Sequence, residues 1–431
     1  MKKYVAFLIS FSIIFGCLPN RQIIAQIDTT FNKQPIRYAN FISLVGQKNF
    51  GYAAEKFNLN IAEASIISAS IFPDPNLSFG WFDNGQKRMN MGYGFSTGID
   101  WTWELGGKRK ARMEVAKSEY ELKKLLLQDY FRNLRADATL VYLQALRNKL
   151  IFDVQLNSYQ TLQKLASSDS TRFKLGAITQ IDALQSRVEA RVVLNDVFQS
   201  EAEWKMTLAN LALFIGSKQT DVLLIPQGDF NTFDRNFQLN ELITTAQNNR
   251  ADLLAALQNK NLSQSVLNLA KANRTIDLGI SIGSTYASYV RNVIAPTPSF
   301  NQISAGVAIP IKISNNKPGE LKAAYYLVQQ AEAQYRQIEL EIQNQIMQAY
   351  FNYLALQKQV QQFKNGLLTE AKAVLDGKIY SYQRGETSLL EVLNAQRTYN
   401  DVQKSYYQAL YDYAAALVEL ERAVGIWDIN F

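Results

Sequence analysis

The residue types that most often carry out catalysis are scarce in this chain. Its 431 residues include no histidine and a single cysteine, Cys17. A chain without histidine cannot form a Ser-His-Asp relay, a Cys-His pair or a His-ligated zinc site. Two Gly-x-Ser-x-Gly segments, Gly94–Gly98 and Gly279–Gly283, match the nucleophile-elbow pattern, but both lie inside alternating, strand-like sequence with no helix directly after them. We therefore expect no enzyme activity, no cofactor and no resident metal ion.

Acidic side chains follow two glycines at matching distances. Asp182 lies six residues after Gly176, and Glu391 lies six residues after Gly385, with the amide of Asn394 three residues further on. Ordinary helix capping explains this arrangement: a glycine ends one helix, a Thr or Ser begins the next, and an acid in the first turn interacts favourably with the helix dipole. By themselves these residues therefore indicate structure rather than function.

The same glycine segments belong to an internal duplication. Phe173–Leu184 (FKLGAITQIDAL) reappears as Tyr382–Leu393 (YQRGETSLLEVL), 209 residues further along the chain. The same displacement maps Gly216 onto Gly425. The chain therefore contains two repeats with one plan. They cover residues 38–216 and 239–425, with the connector 217–238 between them.

Each repeat has the order helix, two strands, and two long helices joined by a glycine turn. The apolar residues from Ala331 to Phe363 recur at steps of three and four, as in a coiled-coil seam. A helix of roughly 60 residues extends about 90 Å, so we expect an elongated molecule. In the first repeat we predict a helix at 38–71, strands at 76–82 and 93–103, and long helices at 107–167 and 179–215. In the second we predict a helix at 239–273, strands at 276–287 and 301–311, and long helices at 319–381 and 388–424.

The predicted strands alternate between apolar and small or polar residues. From Tyr93 to Trp103, the odd positions are mostly apolar, whereas the even positions are Gly, Ser, Asp and Thr. Such alternation fits a membrane β-barrel with lipid outside and water inside, and it also fits half of a soluble β-sandwich. The small residues on the polar face favour the barrel. Four strands are too few to close one, so several chains would have to contribute strands.

The N-terminus has the pattern of an export signal. Lys2 and Lys3 precede an apolar stretch that ends at Cys17 and is too short for a membrane-spanning helix. We predict a signal peptide at 1–25, cleaved after Ala25, with lipidation of Cys17 as the alternative. The formal net charge of +7 falls to +4 without these residues. Because no run of Lys and Arg remains, the sequence does not predict nucleic-acid binding.

Together, these segments resemble the TolC family of bacterial outer-membrane efflux ducts. The resemblance rests on the duplicated segments Phe173–Leu184 and Tyr382–Leu393, the pair of strands in each half, and the terminal glycines Gly216 and Gly425. It implies a mainly α fold with a β-barrel part, built from two repeats of a long coiled-coil hairpin plus two strands. It further implies a homotrimer with a twelve-stranded barrel in outer-membrane lipid and an α-helical tunnel in the periplasm.

The resemblance also assigns roles to residues at the glycine turns. It implies a passive conduit that opens when a periplasmic adaptor and an inner-membrane pump, of the RND type, engage the helical tips. The implied periplasmic gate residues are Asp182, Glu391, Asn394 and Tyr382. The implied adaptor-docking turns are formed by Gly176 and Gly385. Thr387 stands where the family has an arginine, so a salt bridge of that arginine is not expected here.

Two further segments are similar to the heavy-metal-efflux branch of the family, the CzcC/CusC type. They are Trp103–Arg112 and Asn315–Gly319. Without histidine or a methionine cluster, the chain offers no soft-metal site of its own, so any metal specificity would belong to the pump. The sequence thus predicts an efflux channel for metal cations or drugs. A type I protein-secretion duct and a structural periplasmic coiled-coil protein remain as alternatives.

Overall fold

The computed structural model describes residues 32–85, 91–217, 222–230, 235–312 and 316–428. The predicted signal peptide at 1–25 and the candidate lipidation site Cys17 lie outside these residues. In the first half the elements are β1 (Asn32–Arg37), α1 (Tyr38–Lys48), α2 (Phe50–Ser70), β2 (Asn76–Asp83), β3 (Tyr93–Trp103), α3 (Lys108–Lys174) and α4 (Gln180–Phe214). In the second half they are β4 (Val222–Gln227), α5 (Leu239–Asn249), α6 (Ala251–Ala272), β5 (Leu278–Ala287), β6 (Phe300–Ala308), α7 (Pro318–Gln362), α8 (Leu368–Gln383) and α9 (Leu389–Val424).

The helix that opens each repeat is divided in two, where the sequence predicts one continuous helix. The break in the first repeat is at Asn49, whose Nδ2 donates to the Phe214 carbonyl at 3.0 Å. The break in the second is at Arg250, whose Nη1 donates to the Ala423 carbonyl at 2.7 Å. Phe214 and Ala423 are 209 residues apart, so both repeats use the break to satisfy a carbonyl at the end of their last helix.

The longest helix continues past its predicted end at residue 167 to Lys174 and contains 67 residues. The extra segment is mostly polar, so it has no apolar periodicity from which a helix could be predicted. The hydroxyls of Ser170 and Thr171 donate to backbone carbonyls four residues earlier, at 2.8 and 3.2 Å. These bonds satisfy the side chains within the helix, so the polar residues do not end it.

The connector contains a strand that the sequence analysis does not predict. β4 pairs in parallel with β1, which lies 190 residues earlier in the chain. The Tyr142 hydroxyl on α3 accepts from the Gln227 amide at 3.0 Å and lies 2.6 Å from the Gln227 carbonyl. In the second repeat, the Tyr353 hydroxyl on α7 makes the same two contacts with Arg235, both at 3.0 Å. The connector is thus held by a buried tyrosine from each repeat.

The other sheet has the order β2-β3-β5-β6 and is antiparallel throughout. The two repeats meet at its centre through β3 and β5, and β2 and β6 are its edges. The strand predicted at 276–287 begins only at Leu278, because Asp277 accepts from Lys108 Nζ at 2.6 Å and from the Leu105 amide at 3.2 Å. The strand predicted at 301–311 is β6, which ends at Ala308.

The main hydrophobic core lies around the paired strands β1 and β4, where both repeats contribute helices. It includes the coiled-coil seam residues Ile342, Ile346, Tyr353 and Val360 of α7. A smaller cluster lies nearer the glycine turns. Its members are Leu162, Ala166, Ala190, Tyr382, Leu389, Val392 and Leu393. Each fully buried large side chain contributes about 1.5–3 kcal/mol, so the main core carries most of the stability and the turn-side cluster much less.

Candidate functional site

The two glycine turns have the same backbone. Gly176 has a φ of 71° and Gly385 has a φ of 79°, both in the left-handed region. The Gly176 amide donates to the Phe173 carbonyl and the Ala177 amide to the Arg172 carbonyl, each at 2.9 Å. These are the two bonds of a Schellman cap. The residues 209 positions later repeat them: Gly385 to Tyr382 at 3.0 Å and Glu386 to Ser381 at 2.9 Å.

Asp182 has a capping role at the start of α4. The Thr179 hydroxyl accepts from the Asp182 amide at 3.1 Å and donates to Asp182 Oδ2 at 2.8 Å. The Asp182 side chain is half-buried. Helix capping therefore accounts for the position of Asp182 in the sequence. Part of its carboxylate remains in contact with solvent, where it can attract a cation.

Glu391, the repeat equivalent of Asp182, forms an ion pair instead. Lys378 Nζ lies 2.6 Å from Glu391 Oε2, and both side chains are nearly half exposed. The Lys378 hydrogen bond and charge lower the pKa of the Glu391 carboxyl. Asn394 is exposed on the same helix. The structure thus places Asp182, Glu391 and Asn394 on the surface close to the two turns.

Tyr382 differs from the other three predicted gate residues because it is buried. Its hydroxyl donates to Oδ1 of Asp169 on α3 at 3.0 Å. The Arg172 guanidinium lies 4.9 Å from the centre of the Tyr382 ring and 3.8 Å from the Asp169 carboxylate. The contact joins the hairpin of the second repeat to the hairpin of the first.

Burial shapes the electrostatics of this contact. The Asp169 side chain is fully enclosed. Burial raises the pKa of the Asp169 carboxyl, and the Tyr382 hydrogen bond and the Arg172 charge oppose that shift. Burial also raises the pKa of Tyr382 to about 12, and the Asp169 charge adds to the rise. The hydroxyl therefore keeps its proton at neutral pH and remains a donor.

Sequence reasoning missed Asp169, because it lies beyond the predicted end of the helix at residue 167. One signal was available. Asp169 occupies the position that Lys378 occupies in the second repeat, so the duplication holds opposite charges at one site. A charge reversal between otherwise matching turns indicates a contact that only one of them makes.

The four-stranded sheet has two faces of opposite character. Its register brings apolar residues of all four strands onto one face: Leu77, Phe79 and Trp81 of β2, Phe95, Ile99 and Trp101 of β3, Ile280, Ile282 and Tyr286 of β5, and Ile303 and Val307 of β6. Phe79 is 75% exposed and Ile303 is 81% exposed. An apolar surface of this extent calls for lipid or a partner to cover it.

The opposite face carries small residues that interlock across the strands. Gly80 pairs with Ser96, and Gly306 pairs with Ser281. A Cβ on Gly80 would come within 2.5 Å of Ser96 Oγ, and one on Gly306 within 2.8 Å of Ser281 Oγ. The hydroxyls therefore occupy the space that a side chain would need, and the face stays flat and polar. Phe82 and Phe300 are its exceptions, at the turn end of the sheet.

The two segments that match the nucleophile-elbow pattern lie inside β-strands. Gly94–Gly98 lies inside β3 and Gly279–Gly283 inside β5, and in both cases the strand, not a helix, continues directly after the second glycine. Two basic residues at the start of α3 form ion pairs, Lys108 with Asp277 and Arg112 with Glu104. Within the described part of the chain, no group of three or more acidic, Cys or His side chains is arranged to hold a metal ion. No helix there is long and apolar enough to cross a membrane.

Comparison with known protein families gives a match in the second half of the chain. Residues 242–426 match the family described as "Outer membrane efflux protein". The matched segment begins within α5 and ends just after α9, so it contains β5, β6 and the second glycine turn.

Relatives extend the efflux-protein likeness to the whole chain. The chain is 22% identical over 391 residues to the cobalt-zinc-cadmium resistance protein CzcC of Cupriavidus metallidurans, and the alignment covers 91% of this chain and 90% of CzcC. It is 21% identical over 463 residues to the outer membrane protein TolC of Vibrio cholerae, and that alignment covers 100% of this chain and 98% of TolC. The resemblance to the TolC family is therefore confirmed.

The fold has a counterpart among solved structures. The crystal structure of CusC matches with a TM-score of 0.74 at 18% identity, covering 90% of this chain and 92% of CusC. At this identity the match shows the fold. It confirms the mostly helical architecture with additional strands, whereas the closed barrel and the trimer stay predictions.

Proposed function

We propose that the chain is one protomer of a passive, trimeric outer-membrane channel in a tripartite efflux system. The observation that carries the proposal is the register of the four-stranded sheet, which separates an exposed apolar face from a face of Gly, Ser and Thr. The sheet stands at one end of α3, and the glycine turns stand at the other. A helix of 67 residues spans about 100 Å, which suits a duct that reaches from a membrane far into the periplasm.

The edges of the sheet support assembly from several copies. β2 and β6 each present an unpaired edge within the described residues. An open, apolar edge strand is prone to pair with another chain. Pairing of β6 of one copy with β2 of the next in three copies would give twelve strands, enough to close a membrane barrel with the small-residue face lining water.

Exposed apolar side chains on the helices point to the same assembly. They form rows on two helices of the first repeat: Phe50, Phe57 and Ile61 on α2, and Ile181, Val188 and Leu213 on α4. Such rows are rare on a monomer because water contact with them is unfavourable. Neighbouring copies of the chain would cover them in the trimer.

The tips provide the proposed gate and docking surfaces. In a trimer, Asp182 and Glu391 would place six carboxylates around the periplasmic mouth, with Asn394 beside them, which favours cations over anions. Gly176 and Gly385 lie at fully open corners, where a Cβ would meet no atom within 4 Å. We assign these corners to an adaptor protein that links the duct to an inner-membrane pump of the RND type.

Heavy-metal cations and drugs are the proposed substrates, with the metals supported by the name of CzcC. The first test is cell fractionation of the full chain, with gel electrophoresis of unheated and heated samples. A heat-modifiable trimer in the outer membrane is expected, and a soluble periplasmic monomer would contradict the channel. The pump recovered with the duct distinguishes efflux from type I protein secretion.

The gate has its own test in planar bilayers. Asp182→Asn and Glu391→Gln should reduce cation selectivity, because each removes three charges from the trimeric mouth. Glu241→Gln is the matched control, since it removes the same charge from an exposed position on α5. If both tip variants conduct ions as the control does, these carboxylates do not form the gate.

A further inference from the structure

The apolar face of the four-stranded sheet ends in two tryptophans at its helical end. Trp101 lies on that face, and Trp103, two residues further along β3, lies on the same side of the strand. Their ring centres are 5.4 Å apart, and the side chains are 37% and 51% exposed. Tryptophans of membrane proteins concentrate where the hydrocarbon meets the lipid headgroups. In the proposed channel, this end of the sheet therefore lies at the headgroups of the periplasmic leaflet.

An arginine from the start of α3 lies beside these tryptophans. Trp101 Nε1 donates to the Pro73 carbonyl at 2.9 Å, which holds the segment between α2 and β2 against the apolar face. The adjacent Phe72 is 54% exposed, and the Arg109 guanidinium lies 4.2 Å from the centre of its ring. Arg109 Nε also donates to the Ser70 carbonyl at the end of α2. These contacts place Arg109 at the rim of the apolar face.

The charge of Arg109 is not neutralised by a carboxylate. On one side in sequence, Lys108 forms an ion pair with Asp277. On the other side, Arg112 forms an ion pair with Glu104. Arg109 has no ion pair with any described residue, and the one hydrogen bond that it makes with them goes to a neutral carbonyl. Its full positive charge therefore remains available to an anion outside the chain.

The guanidinium of Arg109 is also oriented for such an anion. The bond to the carbonyl uses Nε, so the hydrogens of both Nη groups remain, and they form a fork that fits two oxygens of a phosphate. A guanidinium is weakly hydrated and stacks on aromatic rings, so it can bind phosphate while it lies against Phe72. Because the ring and the carbonyl already fix the side chain, binding an anion there costs little conformational entropy.

We propose that Arg109 binds the phosphate of an anionic phospholipid of the phosphatidylglycerol type, whose acyl chains lie on the apolar face beside Trp101 and Trp103. The proposal rests on the channel function and adds a specific lipid contact at the base of its barrel. The adjoining apolar face favours a lipid over a soluble anion, because only a lipid covers apolar surface as well as pairing with the charge.

The site is tested by tryptophan fluorescence of the full chain in phosphatidylcholine vesicles that contain brominated phosphatidylglycerol or brominated phosphatidylcholine. Bromine quenches tryptophans that it contacts, so the titration reports which lipid lies beside Trp101 and Trp103. A Trp81→Phe background removes the third tryptophan of the apolar face, and Trp204 and Trp427 lie among the helices. We expect roughly 5-fold tighter binding of the anionic lipid, the effect of one cation near an anionic surface.

Substitutions of the arginine separate its charge from its shape. Arg109→Gln keeps a donor for the carbonyl but loses the charge and the fork, so the lipid preference should disappear. Arg109→Lys keeps the charge alone and should retain part of the preference. Lys164→Gln is the matched control, because it removes a charge from an exposed position about 80 Å further along the same helix. An equal preference in Arg109→Gln and in this control would overturn the site.

The ionic conditions identify what Arg109 binds. Raising NaCl from about 0.1 M to about 1 M shortens the screening length from about 10 Å to about 3 Å, so the preference should fall. Inorganic phosphate at constant ionic strength should leave it unchanged, and its loss would assign Arg109 to soluble phosphate instead. If Arg109→Gln weakens the trimer in unheated gels and leaves the preference intact, the arginine pairs with a neighbouring copy, which also overturns the lipid site.

The same titration separates this proposal from the channel function. Quenching by neither brominated lipid would show that the apolar face is not in a bilayer, which contradicts the channel and the lipid site together. Equal quenching by both lipids would show that the face contacts acyl chains but does not select a headgroup. That outcome supports the channel and overturns the lipid site alone.

Discussion

The tips of the two repeats have one backbone and different partners. Both turns are closed by the same Schellman bonds and the same left-handed glycine. At the position seven residues before the glycine, the first tip has Asp169 and the second has Lys378. Lys378 stays within its own hairpin and pairs with Glu391, whereas Asp169 is enclosed and binds the other repeat.

This difference shows how a duplicated chain becomes asymmetric without changing its turns. The turn depends on a glycine and on backbone hydrogen bonds, which tolerate substitution of the surrounding side chains. The contact between hairpins depends on one side chain at a buried position. The difference between Asp169 in the first repeat and Lys378 in the second therefore decides which of the two residues contacts the other hairpin.

The largest effect is expected from transplanting the second-repeat residue into the first tip. Asp169→Lys places an ammonium in an enclosed site beside Arg172 and leaves the Tyr382 hydroxyl without its acceptor. Breaking a buried charged contact in this way costs about 3–5 kcal/mol. The free energy of unfolding, measured with denaturant in detergent, should fall by that amount. A loss below about 1 kcal/mol would mean that Asp169 is not enclosed in the assembled protein.

The ends of the last helices extend the comparison to pH. Glu421, fully buried on α9, stands where the first repeat has Ala212. Burial, together with the neighbouring Asp428, raises the pKa of Glu421 to about 9, and the Arg235 charge opposes the shift. The folded state therefore keeps a proton that the unfolded chain releases near its usual pKa of 4.5.

It follows that stability falls as pH rises between about 4.5 and 9, by at most about 1.4 kcal/mol per pH unit. Glu421→Gln should flatten this part of the profile, because glutamine has no proton to release. The measurement is the denaturation midpoint at several pH values. Ala212→Ser, a small change at the equivalent buried position, serves as control and should leave the slope intact.

A smaller effect is expected from the turns themselves. Gly176→Ala and Gly385→Ala each force a Cβ into the left-handed region, which costs about 1–2 kcal/mol. Because neither Cβ would meet another atom, the two losses in unfolding free energy should agree. A clear difference between them would show that the turns are not equivalent in the assembled protein.

The smallest effect is expected from reversing the charge of the second tip. Lys378→Asp breaks an ion pair that lies in water, so the denaturation midpoint should hardly move. The pKa of Glu391 should rise, because the cation that lowers it is gone, and NMR titration would detect the change. A large loss of stability here would remove the contrast with Asp169.

Much of the fold can be predicted from local sequence. The seam from Ala331 to Phe363 and the alternation in Tyr93–Trp103 indicate long helices and two-faced strands, because both patterns repeat with the period of their own element. The polar end of α3 cannot be predicted in this way, because it has no apolar period. The helix breaks at Asn49 and Arg250 cannot be predicted either, because each side chain there donates a hydrogen bond to a carbonyl far away in the chain.

The sequence by itself determined the duplication, the glycine turns, the character of the strand faces and the likeness to the efflux-protein family. These are properties of residues close together in the chain. Only the tertiary structure decided that β1 pairs with β4, that Tyr382 is buried while Asp182 is half-buried and Glu391 is exposed, and that Asp169 joins the two repeats. Such contacts connect residues about 190 to 213 positions apart. Their energy comes from burial and from contacts with residues that are distant in the chain, so no local pattern of residues predicts them.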